Sequence, residues 1–262
     1  MNLEVILRTC DRRNVSSHPR FIKVSKKELL LGCFISLIHS LNLVKEHNIH
    51  LIVLDDNSSE ETQNEIRQLF SHCNFLTELI ILNEKGNHYS ALKQFEYCKN
   101  SSADIVYSVE DDYLHSPSTI SEALYEYDNL SLKYNLKKPL CLSLWDLPEE
   151  YLAKQLTPEL VFRGRDRHWK TGWSTTNTFM TTPEVFQEHW HLFHKLATEY
   201  TVWNGEGSKH DTVHEGNTIN YIWEKKVMRL NPIPTLTLHL QSNLEEDPYI
   251  NWRQWWRDYT KL

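Results

Sequence analysis

The sequence predicts an α/β protein: a mixed, mostly parallel sheet flanked by helices. Two patterns carry the prediction. Short apolar, β-rich runs alternate with longer segments whose apolar residues recur at helical spacing, the order expected of parallel strands joined by crossover helices. The early runs also end on polar clusters: Arg8-Thr9-Cys10-Asp11-Arg12, Asp55-Asp56-Asn57-Ser58 and Glu110-Asp111-Asp112. Ligands of open α/β sheets bind at the carboxyl ends of the strands, so the three clusters would meet at one site.

The elements follow in order. Residues 3–9 read as the first strand and 10–20 as a polar loop. Residues 27–45 form a helix, with Leu30, Leu31, Phe34, Leu37, Ile38 and Leu41 at helical spacing. Residues 50–54 are a buried strand. The next helix starts near Ser59, where Glu60 and Glu61 suit the positive end of the helix dipole. Residues 79–82 form a third strand, Gly86-Asn87 a turn, and 89–99 a helix. The fourth strand, 105–109, runs into the acidic triplet. Beyond it come a helix over 118–134 and a strand over 139–144. Residues 146–162 give no clear pattern. A basic stretch over 163–170 precedes a strand through Phe179 and Met180. Pro183 opens a helix to about residue 200, and 203–216 read as a polar loop. A helix over 217–227, a late strand over 236–240 and a C-terminal aromatic helix complete the chain.

Composition narrows the function. The 262 residues are 40% hydrophobic and 24% charged, ordinary for a globular protein with a sizeable core. The chain reads as one domain, 1–262, with no segment resembling a signal peptide or a membrane span. A net charge of −7 argues against nucleic acid as a partner. With only 7 glycines, a dinucleotide-type glycine loop is not expected. Five cysteines without a CxxC pair read as reduced thiols of a cytoplasmic protein.

The acidic triplet carries the chemistry. Three adjacent carboxylates at the mouth of a strand repel one another, and a divalent metal neutralises such a cluster. A metal held by one or two carboxylates and a substrate diphosphate activates a phosphorylated leaving group. The alternative is a solvated acidic loop.

The sequence around the second strand end, Val53-Leu54-Asp55-Asp56-Asn57-Ser58, resembles the DDxS signature of inverting, family-2-like glycosyltransferases with the GT-A fold. Leu7-Arg8-Thr9-Cys10-Asp11-Arg12 is similar to their first-strand nucleotide loop, and the triplet to their DxD motif. Its Glu-Asp-Asp form, preceded by Gly86-Asn87-His88-Tyr89 and a helix, is also similar to that of N-acetylglucosaminyltransferase I. The resemblance covers about residues 3–117, which would form the nucleotide-sugar half, with 118–262 as the acceptor half. It implies a nucleotide-sugar donor, a UDP-sugar in particular, and Mn2+ or Mg2+. Carried over by position, Thr9, Asp11 and Arg12 would lie near base and ribose, and Asn87 would join this nucleotide-sugar set. Asp55 or Asp56 would accept the uracil N–H, Asp111 would face ribose or sugar, Glu110 would be a supporting charge, and Asp112 would ligate the metal.

The second half supplies the remaining candidates. An inverting transferase needs a general base opposite the leaving group. The resemblance implies an acidic residue near the start of a late helix, which Glu215 fits best, with Asp211 and Glu206 as alternatives. A plain helix N-terminal charge is the other reading of Glu215. His239 sits where the resemblance implies a further metal or diphosphate ligand; the alternative is a structural histidine. Arg163, Arg165, Arg167, His168 and Lys170 would clamp the diphosphate or an anionic acceptor, unless they form a solvated basic loop. Trp173 with Gly172 would be an acceptor platform or core. Trp252, Trp255, Trp256 and Tyr259 form an amphipathic helix face that docks on the domain or meets a partner or membrane surface.

The reading is a metal-dependent inverting glycosyltransferase that moves a sugar from a nucleotide-sugar to a glycan or other hydroxyl acceptor. The alternatives are a sugar-1-phosphate nucleotidyltransferase and a non-catalytic nucleotide-sugar- or glycan-binding GT-A domain.

Overall fold

The computed structural model describes residues 1–12, 22–151, 159–172, 177–200, 212–240 and 250–261. Its strands are β1 (Asn2–Thr9), β2 (Asn48–Asp55), β3 (Leu76–Ile81), β4 (Ile105–Glu110), β5 (Tyr113–His115), β6 (Leu140–Leu142), β7 (Val161–Arg163), β8 (His168–Thr171), β9 (Phe179–Thr181), β10 (Met228–Ile233) and β11 (Thr237–His239). The helices are α1 (Lys26–Asn42), α2 (Glu60–Leu69), α3 (Asn87–Asn100), α4 (Thr119–Lys133), α5 (Pro183–Glu188), α6 (Trp190–Glu199), α7 (Ile219–Lys225) and α8 (Trp252–Tyr259). Short 3-10 turns cover Phe70–His72, Pro148–Tyr151 and Glu215–Asn217.

Nine strands form one sheet in the order β3-β2-β1-β4-β9-β6-β10-β8-β7. The first four are parallel. β9 opposes β4 and β6, and β8 opposes β10 and β7, so only these two run against the other strands of the sheet. The expected mixed, mostly parallel sheet is therefore the observed one. A separate two-stranded sheet pairs β5 with β11 and sets Tyr113 opposite His239. β4 leads directly into this pairing, and the Leu240 N–H donates to the Asp112 carbonyl at 2.9 Å.

Local chemistry sets the helices that approach the strand ends. Ser25 and Glu28 close a capping box at the start of α1. Ser59 caps α2, and Asp11 reinforces that cap: its Oδ2 accepts from the Ser59 N–H and hydroxyl at 2.9 and 2.6 Å and from the Thr62 hydroxyl at 2.7 Å. α3 starts at Gly86, whose φ of +126° side chains rarely adopt. Gln94 of α3 is fully buried and donates to the Ile6 and Val109 carbonyls, fastening the helix to β1 and β4.

Three differences from the sequence reading have physical causes. The helix expected over 183–200 is broken at His189 into α5 and α6. Phe186 and Phe193, seven residues apart, stack at 4.4 Å, whereas a straight helix would separate them by about 10 Å along its axis. β10 was not anticipated: Arg229, Asn231 and Pro232 mask its apolar alternation, yet Leu230 is buried. β7 and β8 likewise lie in segments read as irregular or basic. The aromatic α8 packs Trp252, Trp255 and Trp256 on Leu29, Cys33, Leu114 and Leu238. A methyl group at Gly32 would meet the Trp256 ring at 2.5 Å, so that helix contact requires glycine. All five cysteines are free, and no described helix is long and apolar enough to cross a membrane.

The basic stretch is largely consumed by the fold. Arg167 makes a two-pronged bond to Glu122 at 2.6 and 2.9 Å. Arg165 pairs with Asp166 and lies over the Tyr125 ring. Lys170 and Arg229 converge on the buried Glu150 at 2.8 and 3.0 Å. Burial opposes ionisation of Glu150, but the Arg229 and Lys170 charges outweigh it and hold the carboxyl below its ordinary value of 4.5. A carboxyl with a depressed folded-state value stabilises fully above its unfolded value and loses that contribution as pH falls through the folded one. Glu150→Gln is thus expected to cost about 3–5 kcal/mol near neutral pH by leaving buried cations uncompensated. Urea denaturation would show that loss, and the gap to wild type should close as pH drops below 4.5.

Candidate functional site

The three polar strand ends meet at a cleft of about 530 Å³. β1, β2 and β4 place them there, the start of α3 forms one wall, and the end of α6 with Glu215 another.

The two aspartates of the second cluster part company. Asp55 is fully buried, and both its oxygens serve the turn. Oδ1 accepts from Thr9 at 3.0 Å; Oδ2 accepts from the Ser58 N–H at 2.8 Å and Gln63 at 3.0 Å. Asp56 lines the cleft, and its Oδ1 takes the Gly86 N–H at 2.9 Å and Arg12 at 2.8 Å. Thr9 and Arg12 line the cleft; Asp11 does not, being spent on the α2 cap. Burial acts against ionisation of Asp11, yet the bonds from Ser59 and Thr62 prevail and hold its carboxyl below the usual value.

The acidic triplet also divides. Glu110 accepts from Arg8 at 2.6 Å, and the same guanidinium donates to Asn87 Oδ1 at 2.7 Å, tying β4 to the start of α3. Asp111 turns to the other side, where Oδ1 pairs with Lys26 and Oδ2 accepts the Cys10 N–H at 2.9 Å. Asp112 faces His239, its Oδ1 lying 3.4 Å from Nε2. The imidazole is stacked on Tyr113 at 4.5 Å and edged by Trp145 at 5.3 Å, so its orientation is set. Glu110, Asp112 and His239 offer ligand atoms within 4.8 Å of one another. Two carboxylates and an imidazole are a donor set that suits Mn2+ or a similar divalent ion.

Glu215 opens onto the same cleft near Tyr200. Burial, and then the negative charge of Glu110, raise its carboxyl above the ordinary value. Asp211, Glu206 and Trp173 lie outside the described residues. Arg163 is not brought to the cleft: it sits on β7, the far edge of the sheet, with its carbonyl held by Lys133 and Tyr134. Arg165, Arg167, His168 and Lys170 are likewise absent from the lining. Lys26, Ser90, Asn177 and Tyr200 also line the cleft and were not named by the sequence reading, while Arg8 and His88 were named only within motifs and given no role. Of these four, Lys26 carried a readable signal, a cation at the helix end that favours anions.

Residues 25–133, from α1 to α4, match the family described as glycosyl transferase family 2. The chain resembles that family over this segment, somewhat under half of its length. The matched segment contains Asp56 and the triplet but neither Glu215 nor His239. No curated protein matches the sequence significantly. Among solved structures, S. aureus TarS 1–349 is similar at 13% identity and a TM-score of 0.46, over 76% of this chain and 55% of that one. GalNAc-T7 with UDP, GalNAc and Mn2+ is similar at 10% identity and a TM-score of 0.49, over 94% of this chain and 44% of that one. The Pyrobaculum calidifontis mannosyltransferase PcManGT with GDP-Man and Mn2+ gives 11% identity and a TM-score of 0.39, over 71% and 46%. The chain thus spans about half the length of these structures.

The donor cluster is open to a direct test. Asp112→Ala and His239→Ala are each expected to weaken Mn2+ binding by more than the tenfold to hundredfold typical of outer-shell changes, with the fold retained. Electron paramagnetic resonance of free Mn2+, beside circular dichroism, would measure both.

Proposed function

We propose that this chain is a metal-dependent, inverting glycosyltransferase that transfers a sugar from a UDP-sugar to an acceptor hydroxyl. The observation that carries the reading is one cleft lined by Asp56, Glu110, Asp112 and Glu215, with His239 facing Asp112 beside it. Residues 1–117 supply the donor side, and 118–262 add Glu215 and His239 and the acceptor side.

Asp56 is the base-reading residue. Its Oδ1 is held by Gly86 and Arg12, which aims the carboxylate and leaves Oδ2 to accept the imide N–H of uracil. Cytosine presents no equivalent donor at that position. Asp55 instead stabilises the turn that carries Asp56, and Thr9 braces Asp55. Arg12 and Asn87 border the nucleotide, with Asn87 oriented by Arg8.

Glu110, Asp112 and His239 would hold Mn2+ or Mg2+, which, when bound, offsets charge on the departing diphosphate. Glu215 is the general base: as a carboxylate it takes the acceptor hydroxyl proton while the oxygen attacks the anomeric carbon and the bond to the diphosphate breaks. Burial and then Glu110 make its carboxylate more basic than an ordinary one, which suits a proton acceptor.

Two outcomes test the reading. Glu215→Gln should lower turnover by about 10²–10⁴-fold and abolish the rise of rate with pH through an ionisation above 4.5. A pH–rate profile unchanged in that variant but altered in Asp211→Asn would move the base to Asp211. Thermal-shift screening of nucleotide-sugars with Mn2+ should show UDP-sugars raising the unfolding temperature more than GDP-sugars. Asp56→Ala should erase that preference, and excess EDTA should stop transfer.

A further inference from the structure

We infer that Lys26 is a positioning residue of the metal corner: it draws Asp111 out of the acidic triplet and leaves Glu110 and Asp112 to face His239. The inference rests on the metal reading given above, and its first support is geometric. Lys26 Nζ pairs with Asp111 Oδ1 while the Cys10 N–H takes Oδ2 at 2.9 Å, so both oxygens are held from the side of α1 and the exit of β1. The two side chains are only 7% and 12% exposed, against 41% for Arg12 in the neighbouring Arg12–Asp56 pair.

The second support is local. Lys26 is the first residue of α1, where the helix dipole favours anions and disfavours a cation. The capping box of Ser25 and Glu28 on either side fixes the backbone there. A cation kept against local preference at the mouth of a cleft is the kind of conflict that natural proteins retain at working sites. Lys26 also lines the cleft itself.

The consequence is electrostatic. Without Lys26, Asp111 would add an uncompensated negative charge beside Glu110 and Asp112. A divalent cation would then bind the nucleotide-free protein more tightly, and the anionic donor would bind more weakly. A lysine with a merely structural role would weaken both.

The test compares Lys26→Met, Lys26→Arg, Asp111→Asn and the Lys26→Met/Asp111→Asn double variant. Mn2+ titration of the nucleotide-free proteins should show Lys26→Met binding at least about tenfold more tightly and Asp111→Asn at least about tenfold more weakly. The double variant and Lys26→Arg should lie close to wild type. UDP binding in the presence of saturating Mn2+ should weaken in Lys26→Met. Mn2+ affinity that is unchanged or lower in Lys26→Met overturns the inference. Equal Mn2+ binding by wild type and Asp112→Ala would instead sink the metal reading. The pairing is then decided by unfolding midpoints in EDTA: Lys26→Met should lower the midpoint, and adding Asp111→Asn should restore it. Additive losses in the double variant would overturn the pairing.

Discussion

Charge compensation at the ends of the parallel strands is the constraint on which the site depends. Asp56, Glu110, Asp111, Asp112 and Glu215 all line one cleft. Carboxylates gathered this closely, away from bulk water, repel one another unless each meets a cation. Arg12, Arg8 and Lys26 answer Asp56, Glu110 and Asp111. Asp112 faces His239, and burial, then the negative charge of Glu110, raise the Glu215 carboxyl above its ordinary value. The fold thus gathers two carboxylates and an imidazole at one corner, beside a cleft that Glu215 also lines.

The scaffold makes that distribution rigid. Parallel pairing of β1 with β2 and β4 brings the three clusters to one end of the sheet. Gln94 locks α3 onto β1 and β4, and Gly86 lets the chain turn into that helix while donating to Asp56. The small β5–β11 sheet then carries His239 across some 120 residues of sequence to the end of the triplet. Its imidazole has little freedom between Tyr113 and Trp145. Such prior ordering would lower the entropy cost of holding a cation there.

The positive charges of residues 163–170 show the opposite economy. Arg167 and Lys170 are bound to Glu122 and Glu150, far from the cleft lining. Breaking such a buried pair is costly because it strands a charge in a poorly solvated place. These residues hold β8 and β10 against the 3-10 turn at Pro148–Tyr151 and against α4, and so support the part of the sheet that leads to β11. A basic run in sequence and a basic patch in space are different things, and only pairing distinguishes them.

Strand and helix order, the polar strand ends and the acidic triplet were legible in the sequence because each depends on local periodicity or on adjacent residues. The β1–β4 half follows from that pattern, and so does the presence of Asp56 and Asp112 at one site. β10 was hidden because polar residues that pair inside the fold look, in sequence, like a surface. Which aspartate of Asp55-Asp56 faces the cleft, which member of the triplet turns toward Lys26, and whether Glu215 and His239 approach the triplet depended on contacts between residues distant in the chain. Side-chain direction at a turn, ion pairing and burial are properties of three-dimensional neighbours. The sequence alone determined which chemical groups this chain carries; the tertiary structure decided which carboxylates pair with nearby cations and which gather beside His239, because pairing and burial depend on neighbours in space.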